Sequence, residues 1–254
     1  MPRSPFGGRH ELGQNFLHHR PTIARIVDLV RPTTGAILEI GAGDGALTHE
    51  LARLGRPLTA IDIDPRRVHD LGRSLRGVRI EHADVLRHPL EAPVVVGNVP
   101  FHLTTPILRR LFARPAWRHA LLLTQWEVAR KRAGVGGATM MTAQSAPWFA
   151  FRLEGRVPAW CFAPRPSVDG GLLAIERRRR PLVPATERVG YERFIRVAFT
   201  GQGGRMRPIA RRLARGDRAL ADRALAAAGI AGDALPRDLG PEQWAALWTA
   251  LKRA

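Results

Sequence analysis

The chain has 254 residues, 45% of them hydrophobic and 24% charged, the make-up of a globular protein with room for one large domain and a small one. No run of about 18 apolar residues occurs, which excludes a transmembrane helix. Forty Lys+Arg against 22 Asp+Glu give +18, a surplus that points to a polyanionic partner such as nucleic acid. Only Lys131 and Lys252 are lysines. A GC-rich genome accounts for arginine over lysine, but not for the excess of positive over negative charge.

From Pro21 to about Ile175 helix-like and strand-like segments alternate, the pattern of an α/β domain. Ile23, Ile26, Val27 and Val30 share one helical face. Ala36–Ile40 is a short apolar strand ending at glycines, followed by a helix marked by Leu47, Leu51 and Leu54. Leu58–Ile61 is a second strand, ending at Asp62. Val78–Ile80, Pro93–Val96 and Ala120–Leu123 are further strands, with a helix over Thr104–Phe112, and Leu153–Val157 and Gly171–Ile175 close the sheet. Arg177–Arg180, then Pro181 and Pro184, read as a linker. Beyond it only helical patterns follow: Tyr191–Phe199, Met206–Ala214, Ala219–Ala228 and Glu242–Leu251. The expected division is therefore a catalytic α/β domain over 1–178 and a helical domain over 179–254. Residues 176–254 carry 17 basic and 8 acidic side chains, about twice the positive density of the rest.

Ala36-Ile-Leu-Glu-Ile-Gly-Ala-Gly-Asp-Gly45 runs from a strand through a glycine turn into a helix, so the backbone can pass close to a ligand. The spacing is GxGxG, not the GxGxxG of a dinucleotide site. Asp62 ends the next strand, where a carboxylate accepts hydrogen bonds from ribose hydroxyls. Asp84 follows the third strand, placed to accept from an adenine amino group with Ala83 and Val85 beside the ring. Each acid alone is an ordinary turn residue. Three ligand-facing positions at successive strand ends are not, because that edge is where open α/β sheets bind ligands. Nothing suggests a pyrophosphate site, and the reading is S-adenosylmethionine.

Asn98-Val-Pro-Phe101 resembles the motif of methyltransferases that act on exocyclic amines. An adenine amino lone pair is delocalised into the ring and is a poor nucleophile. An Asn oxygen and a neighbouring backbone carbonyl, accepting its two N–H bonds, favour a pyramidal nitrogen. This works by orientation and electrostatics and needs no catalytic base. Phe101 offers a face on which a base taken out of its helix stacks.

Four blocks occur in order: His10-Glu-Leu-Gly-Gln-Asn-Phe-Leu17, Glu39-Ile-Gly-Ala-Gly-Asp-Gly-Ala-Leu-Thr48, Asn98-Val-Pro-Phe-His-Leu-Thr-Thr-Pro106 and Phe162-Ala-Pro-Arg-Pro-Ser-Val-Asp169. Together they resemble the Erm family of ribosomal RNA adenine N6-methyltransferases, which confer resistance to macrolide, lincosamide and streptogramin B antibiotics; the resemblance spans about residues 9–251. It implies a Rossmann-like class I methyltransferase sheet with a small all-helical C-terminal domain. It also implies that Asn15, Leu17, Gly41, Asp62, Asp84 and Asn98 line the S-adenosylmethionine site, with Phe101 and Phe162 holding the target adenine. Asp62 stands where many relatives have Glu, and Phe101 where many have Tyr. The shorter carboxylate still reaches ribose, and Phe keeps the stacking face.

The partner this implies is 23S rRNA, met before ribosome assembly is complete, by a monomer. Arg130-Lys131-Arg132, before the Gly134–Gly137 loop, is a candidate RNA contact whose alternative is a solvated face. Cys161 reads as a small buried side chain, and Trp117, Trp126, Trp148 and Trp160 as core or rim. One cysteine cannot form an internal disulfide, no Cys/His spacing suits zinc, and Met1–Leu12 has no apolar stretch behind its basic residues. No metal or membrane is expected, and the cytoplasm is the expected compartment. Two other functions fit the same blocks: a small-subunit rRNA dimethyladenosine transferase, and a non-catalytic RNA-binding or transcription-associated protein on a retained methyltransferase fold.

Overall fold

A computed structural model describes residues 15–114, 116–201 and 204–252. The elements in chain order are β1 (Phe16–Leu17), α1 (Arg20–Val30), β2 (Ile37–Ile40), α2 (Ala46–Ala52), β3 (Leu58–Asp62), α3 (Pro65–Ser74), β4 (Arg79–His82), β5 (Val94–Asn98), α4 (Thr104–Ala113) and β6 (His119–Gln125). They continue with α5 (Trp126–Arg132), α6 (Met140–Ser145), β7 (Phe149–Val157), β8 (Phe162–Ala163), β9 (Gly170–Arg177), α7 (Arg188–Thr200), α8 (Met206–Leu213), α9 (Arg218–Ala227) and α10 (Pro241–Leu251).

Seven strands form one sheet in the order β4-β3-β2-β5-β6-β9-β7. Strands β4 to β6 run parallel, and β9 joins β6 antiparallel. All four residues of β2 and the first four of β5 are buried, as expected of parallel strands covered on both faces. The large sheet starts at β2, builds outward through β3 and β4, then returns to lay β5 on the other side of β2. That reversal opens a crevice at the carboxyl ends of β2 and β5. The α/β sheet and the helical C-terminal region are both as the sequence pattern indicates.

Close approach of β2 to β5 depends on Gly97, where a Cβ would stand 2.4 Å from the Ile40 carbonyl oxygen. Below the crevice the core is aliphatic, with Ile37, Leu51, Leu58, Val94, Val96 and Leu121 in one buried cluster joined by Ile23, Ile26, Val27 and Val30 of α1.

By packing the chain forms two units. One runs to Ala129 and resumes over Arg152–Glu176; the other combines Arg130–Phe151 with the chain from Arg177 onward. Within the second unit the Tyr191 hydroxyl donates to the Ala143 carbonyl at 3.1 Å, and Gln144 Nε2 donates to the Glu192 carbonyl at 2.9 Å. An aromatic cluster of Trp148, Tyr191, Phe194, Trp244 and Trp248 forms its centre. The segment read as a linker is anchored there: Val183 is buried, and the Leu182 N–H donates to the Pro147 carbonyl at 3.0 Å. Among the described residues no helix is long and apolar enough to cross a membrane.

Gly97→Ala forces the Ile40 carbonyl and the new methyl apart in the middle of the sheet. The expected result is a loss of about 1–3 kcal/mol of stability, seen as a lowered melting temperature. An unchanged melt would mean that β2 and β5 separate at no cost.

Candidate active site

An open cleft lies at the crevice, walled by Asn15, Phe16, Gly41, Gly43, Asp62, Asp84, Asn98 and Phe101 among others. This is the placement of a small-molecule site. The turn after β2 places Gly41 at its start, with its N–H on the Ile61 carbonyl at 2.9 Å. Gly43 has φ +54°, and a Cβ there would meet the Phe16 ring at 3.0 Å, so any other residue would push against the cleft's outer wall.

Asp62 ends β3 with both carboxylate oxygens occupied: Oδ2 accepts from the Gly43 N–H at 2.8 Å and Oδ1 from the Asp64 N–H at 2.9 Å. Burial raises its pKa, and those amide bonds oppose the rise. Each oxygen keeps a further lone pair for a ligand hydroxyl. After β4, Asp84 Oδ1 accepts from the Leu86 N–H at 2.8 Å, closing a local turn. Ala83 and Val85 flank it on the cleft wall, with Ile63 beside Asp62.

Asn98 closes β5. Its Nδ2 donates to the Asn15 carbonyl at 2.7 Å, which fixes the amide and leaves Oδ1 as the acceptor. Phe101 begins a short 3-10 turn, Phe101–Leu103, and stands edge-to-face with Phe162, ring centroids 6.4 Å apart. Phe162 itself is 2% exposed and Leu17 5%, both in the aliphatic core. They are paired in register across β1 and β8. The sequence-derived set Asn15, Gly41, Asp62, Asp84, Asn98 and Phe101 therefore shares one cleft, while Leu17 and Phe162 stand behind it. Phe16, which the sequence reading passed over, is on the wall. Of the His10–Leu17 block, residues 10–14 lie outside the described residues.

The basic trio sits on α5 away from these residues in sequence. Lys131 is exposed. Arg130 Nη1 reaches the Val135 carbonyl at 3.4 Å and Arg132 Nη1 the Thr139 hydroxyl at 2.8 Å, so both arginines also brace the loop that follows. Cys161 is buried, as are Trp117 and Trp148, whereas Trp160 is exposed.

A doubly wound sheet with an open glycine turn, a carboxylate closing the next strand and Asn98-Val-Pro-Phe101 at the switch point defines an S-adenosylmethionine-dependent methyltransferase. Comparison with known proteins narrows the class. The family described as ribosomal RNA adenine dimethylase matches residues 6–252. An rRNA adenine N-6-methyltransferase of Corynebacterium diphtheriae is 50% identical over 209 residues, covering 81% of this chain and 83% of that protein. The mycinamicin-resistance protein MyrB of Micromonospora griseorubida is 48% identical over 247 residues, covering 95% and 78%. The crystal structure of the 23S rRNA methyltransferase ErmE superposes with a TM-score of 0.83 at 34% identity, covering 94% of this chain and all of that one. The chain belongs to the ribosomal RNA adenine dimethylase family and is an S-adenosylmethionine-dependent rRNA adenine N6-methyltransferase.

Beneath the glycine turn, Glu39 is 1% exposed and its Oε2 has no hydrogen-bond partner among the described residues. Burial pushes its pKa from 4.5 up to about 8; the Thr48 hydroxyl opposes the shift and nearby Asp62 adds to it. Glu39 is thus a neutral acid near pH 7. A carboxyl raised on folding holds its proton where the unfolded chain has lost it. Its contribution to stability is therefore full below the unfolded pKa and is lost as pH rises from about 4.5 to about 8. Glu39→Gln keeps the shape without the titration. The difference in melting temperature between wild type and variant should shift in the variant's favour across that window. A difference independent of pH would place an ionised Glu39 in the folded protein.

Proposed function

We propose that this enzyme methylates N6 of an adenine in 23S rRNA and so confers resistance to macrolide, lincosamide and streptogramin B antibiotics. The observation that carries the chemistry is Asn98, held by the Asn15 carbonyl at 2.7 Å with its oxygen left to accept, next to Phe101 on the same wall. Similarity to a 23S rRNA methyltransferase and to a mycinamicin-resistance protein supports the large subunit over the small one.

In this reading the bound cofactor supplies a sulfonium-activated methyl group. Asp62 holds its ribose, while Ala83, Asp84 and Val85 take its adenine. The turn at Gly41 and Gly43 lets the backbone lie against it, and Asn15 and Phe16 close the outer side. Asn98 Oδ1 accepts an N–H of the target amine and turns the nitrogen lone pair toward the methyl. Phe101 stacks on the flipped base, and Phe162 backs Phe101 from the core. Arg130, Lys131 and Arg132 supply phosphate contacts. The enzyme acts as a cytoplasmic monomer on rRNA before the subunit is complete.

Primer extension on separated large- and small-subunit rRNA, with and without the enzyme, tests this. A stop at one adenine of the large-subunit RNA is expected. It should disappear with Asn98→Ala while cofactor affinity stays within about tenfold, because the side chain acts mainly in the transition state. A stop confined to small-subunit RNA would make the protein a small-subunit dimethyladenosine transferase, and no stop on either would favour a binding protein.

Phe101 separates stacking from packing. Phe101→Tyr keeps the ring and should retain activity within a few-fold. Phe101→Ala should lower RNA methylation roughly 10- to 150-fold with cofactor affinity little changed. A large fall in melting temperature with parallel loss of cofactor binding would instead make Phe101 a core residue.

A further inference from the structure

One guanidinium joins three separate pieces of the cofactor cleft. Arg67, on α3, lies over the Phe16 ring with its central carbon 4.1 Å from the ring centroid. The same side chain ion-pairs with Asp44 inside the glycine turn, and its Nε stands 3.7 Å from Asp64 Oδ2 at the start of α3. Asp64 in turn presents its N–H to Asp62 Oδ1 at 2.9 Å. Phe16 therefore touches both: Gly43 lies against one part of it, where a Cβ would meet the ring at 3.0 Å, and Arg67 covers its face. The next residue back, Asn15, is the one whose carbonyl holds Asn98.

The local sequence does not demand this arrangement. Strand β1 is two residues long and, among the described residues, pairs only with β8, so backbone pairing alone holds residues 15 and 16 weakly over the cleft. A cation lying on an aromatic face, fixed by two carboxylates, supplies orientation that a short ladder does not. The guanidinium suits the task because its plane stacks on a ring while its edge binds carboxylates.

We propose that Arg67 is a positioning residue for cofactor binding: it clamps Phe16, and with it Asn15, against the glycine turn as the outer wall of the S-adenosylmethionine site. The proposal rests on the cleft being that site. Loss of the clamp frees the wall, so ligand binding must first order it, and the apparent affinity falls accordingly. Its effect belongs to cofactor affinity, with saturated turnover changed far less.

The test is titration calorimetry with S-adenosylmethionine and with S-adenosylhomocysteine, beside steady-state kinetics and thermal melts. Arg67→Ala and Phe16→Leu should each weaken cofactor binding by roughly 3- to 30-fold. The double variant should be no weaker than the worse single one, because both changes remove the same contact. Arg67→Lys, which keeps the charge but not the plane, should fall between Arg67→Ala and wild type. Additive effects in the double variant, or Arg67→Ala affinity within twofold of wild type, would overturn the clamp. So would a kcat that falls as much as the affinity does. If Arg67→Ala melts much lower than wild type, Phe16→Leu and Arg67→Lys still decide. Wild type that fails to bind S-adenosylmethionine would defeat the reading of the cleft itself, a result separable from any of these.

Discussion

The parallel pairing of β2 with β5 is the constraint from which the active site follows. These strands are neighbours in space but lie on opposite sides of the reversal in strand order, so the connections leaving their carboxyl ends part and leave a crevice. How near they come is set by Gly97 against the Ile40 carbonyl. The glycine turn leaves the end of β2, and Asn98 leaves the end of β5. A ligand seated on the first would therefore lie beside a group held by the second.

The acids around the crevice divide by environment. Asp62 and Asp84 take backbone N–H bonds and face the cleft, where a ligand can satisfy their remaining lone pairs. Glu39 is sealed below, beside Thr48 and close to Asp62, and burial keeps its proton on. Two carboxylates so near each other would repel if both were ionised. Burial raises the pKa of both acids, and at Asp62 the Gly43 and Asp64 N–H bonds oppose the rise.

Much of this was legible in the sequence where a strand is a mainly apolar run: β2, β3, β5 and β6 stand where the pattern puts them. The glycine turn and the Asn98 motif were legible because their chemistry is local. Other parts were not. Helix α3, Pro65–Ser74, buries only Leu71, so no apolar stripe marks it; its signals were the Asp64 cap and Pro65. Helices α5 and α6 are seven and six residues long, too short for periodicity. Neighbouring residues of a strand point to opposite sides, and β1 turns Leu17 into the core while Phe16 walls the cleft, a difference the motif alone does not state. The contact of Arg67 with Phe16 joins residues far apart in the chain, and no spacing rule reaches it.

The C-terminal unit is not simply the end of the chain, since Arg130–Phe151 packs with it. During synthesis that stretch leaves the ribosome well before Tyr191, Glu192 and the rest of its cover exist. The Ala143 carbonyl that receives the Tyr191 hydroxyl must wait, hydrated, for a partner nearly fifty residues downstream. Domains usually form in the order in which they are made. Here the helical unit cannot be completed in that way, because its two parts are separated in the chain by Arg152–Glu176 of the other unit. A nascent chain stalled before α7 would expose the apolar side of α6, and a truncation placed at Glu176 would cut through one folding unit rather than between two.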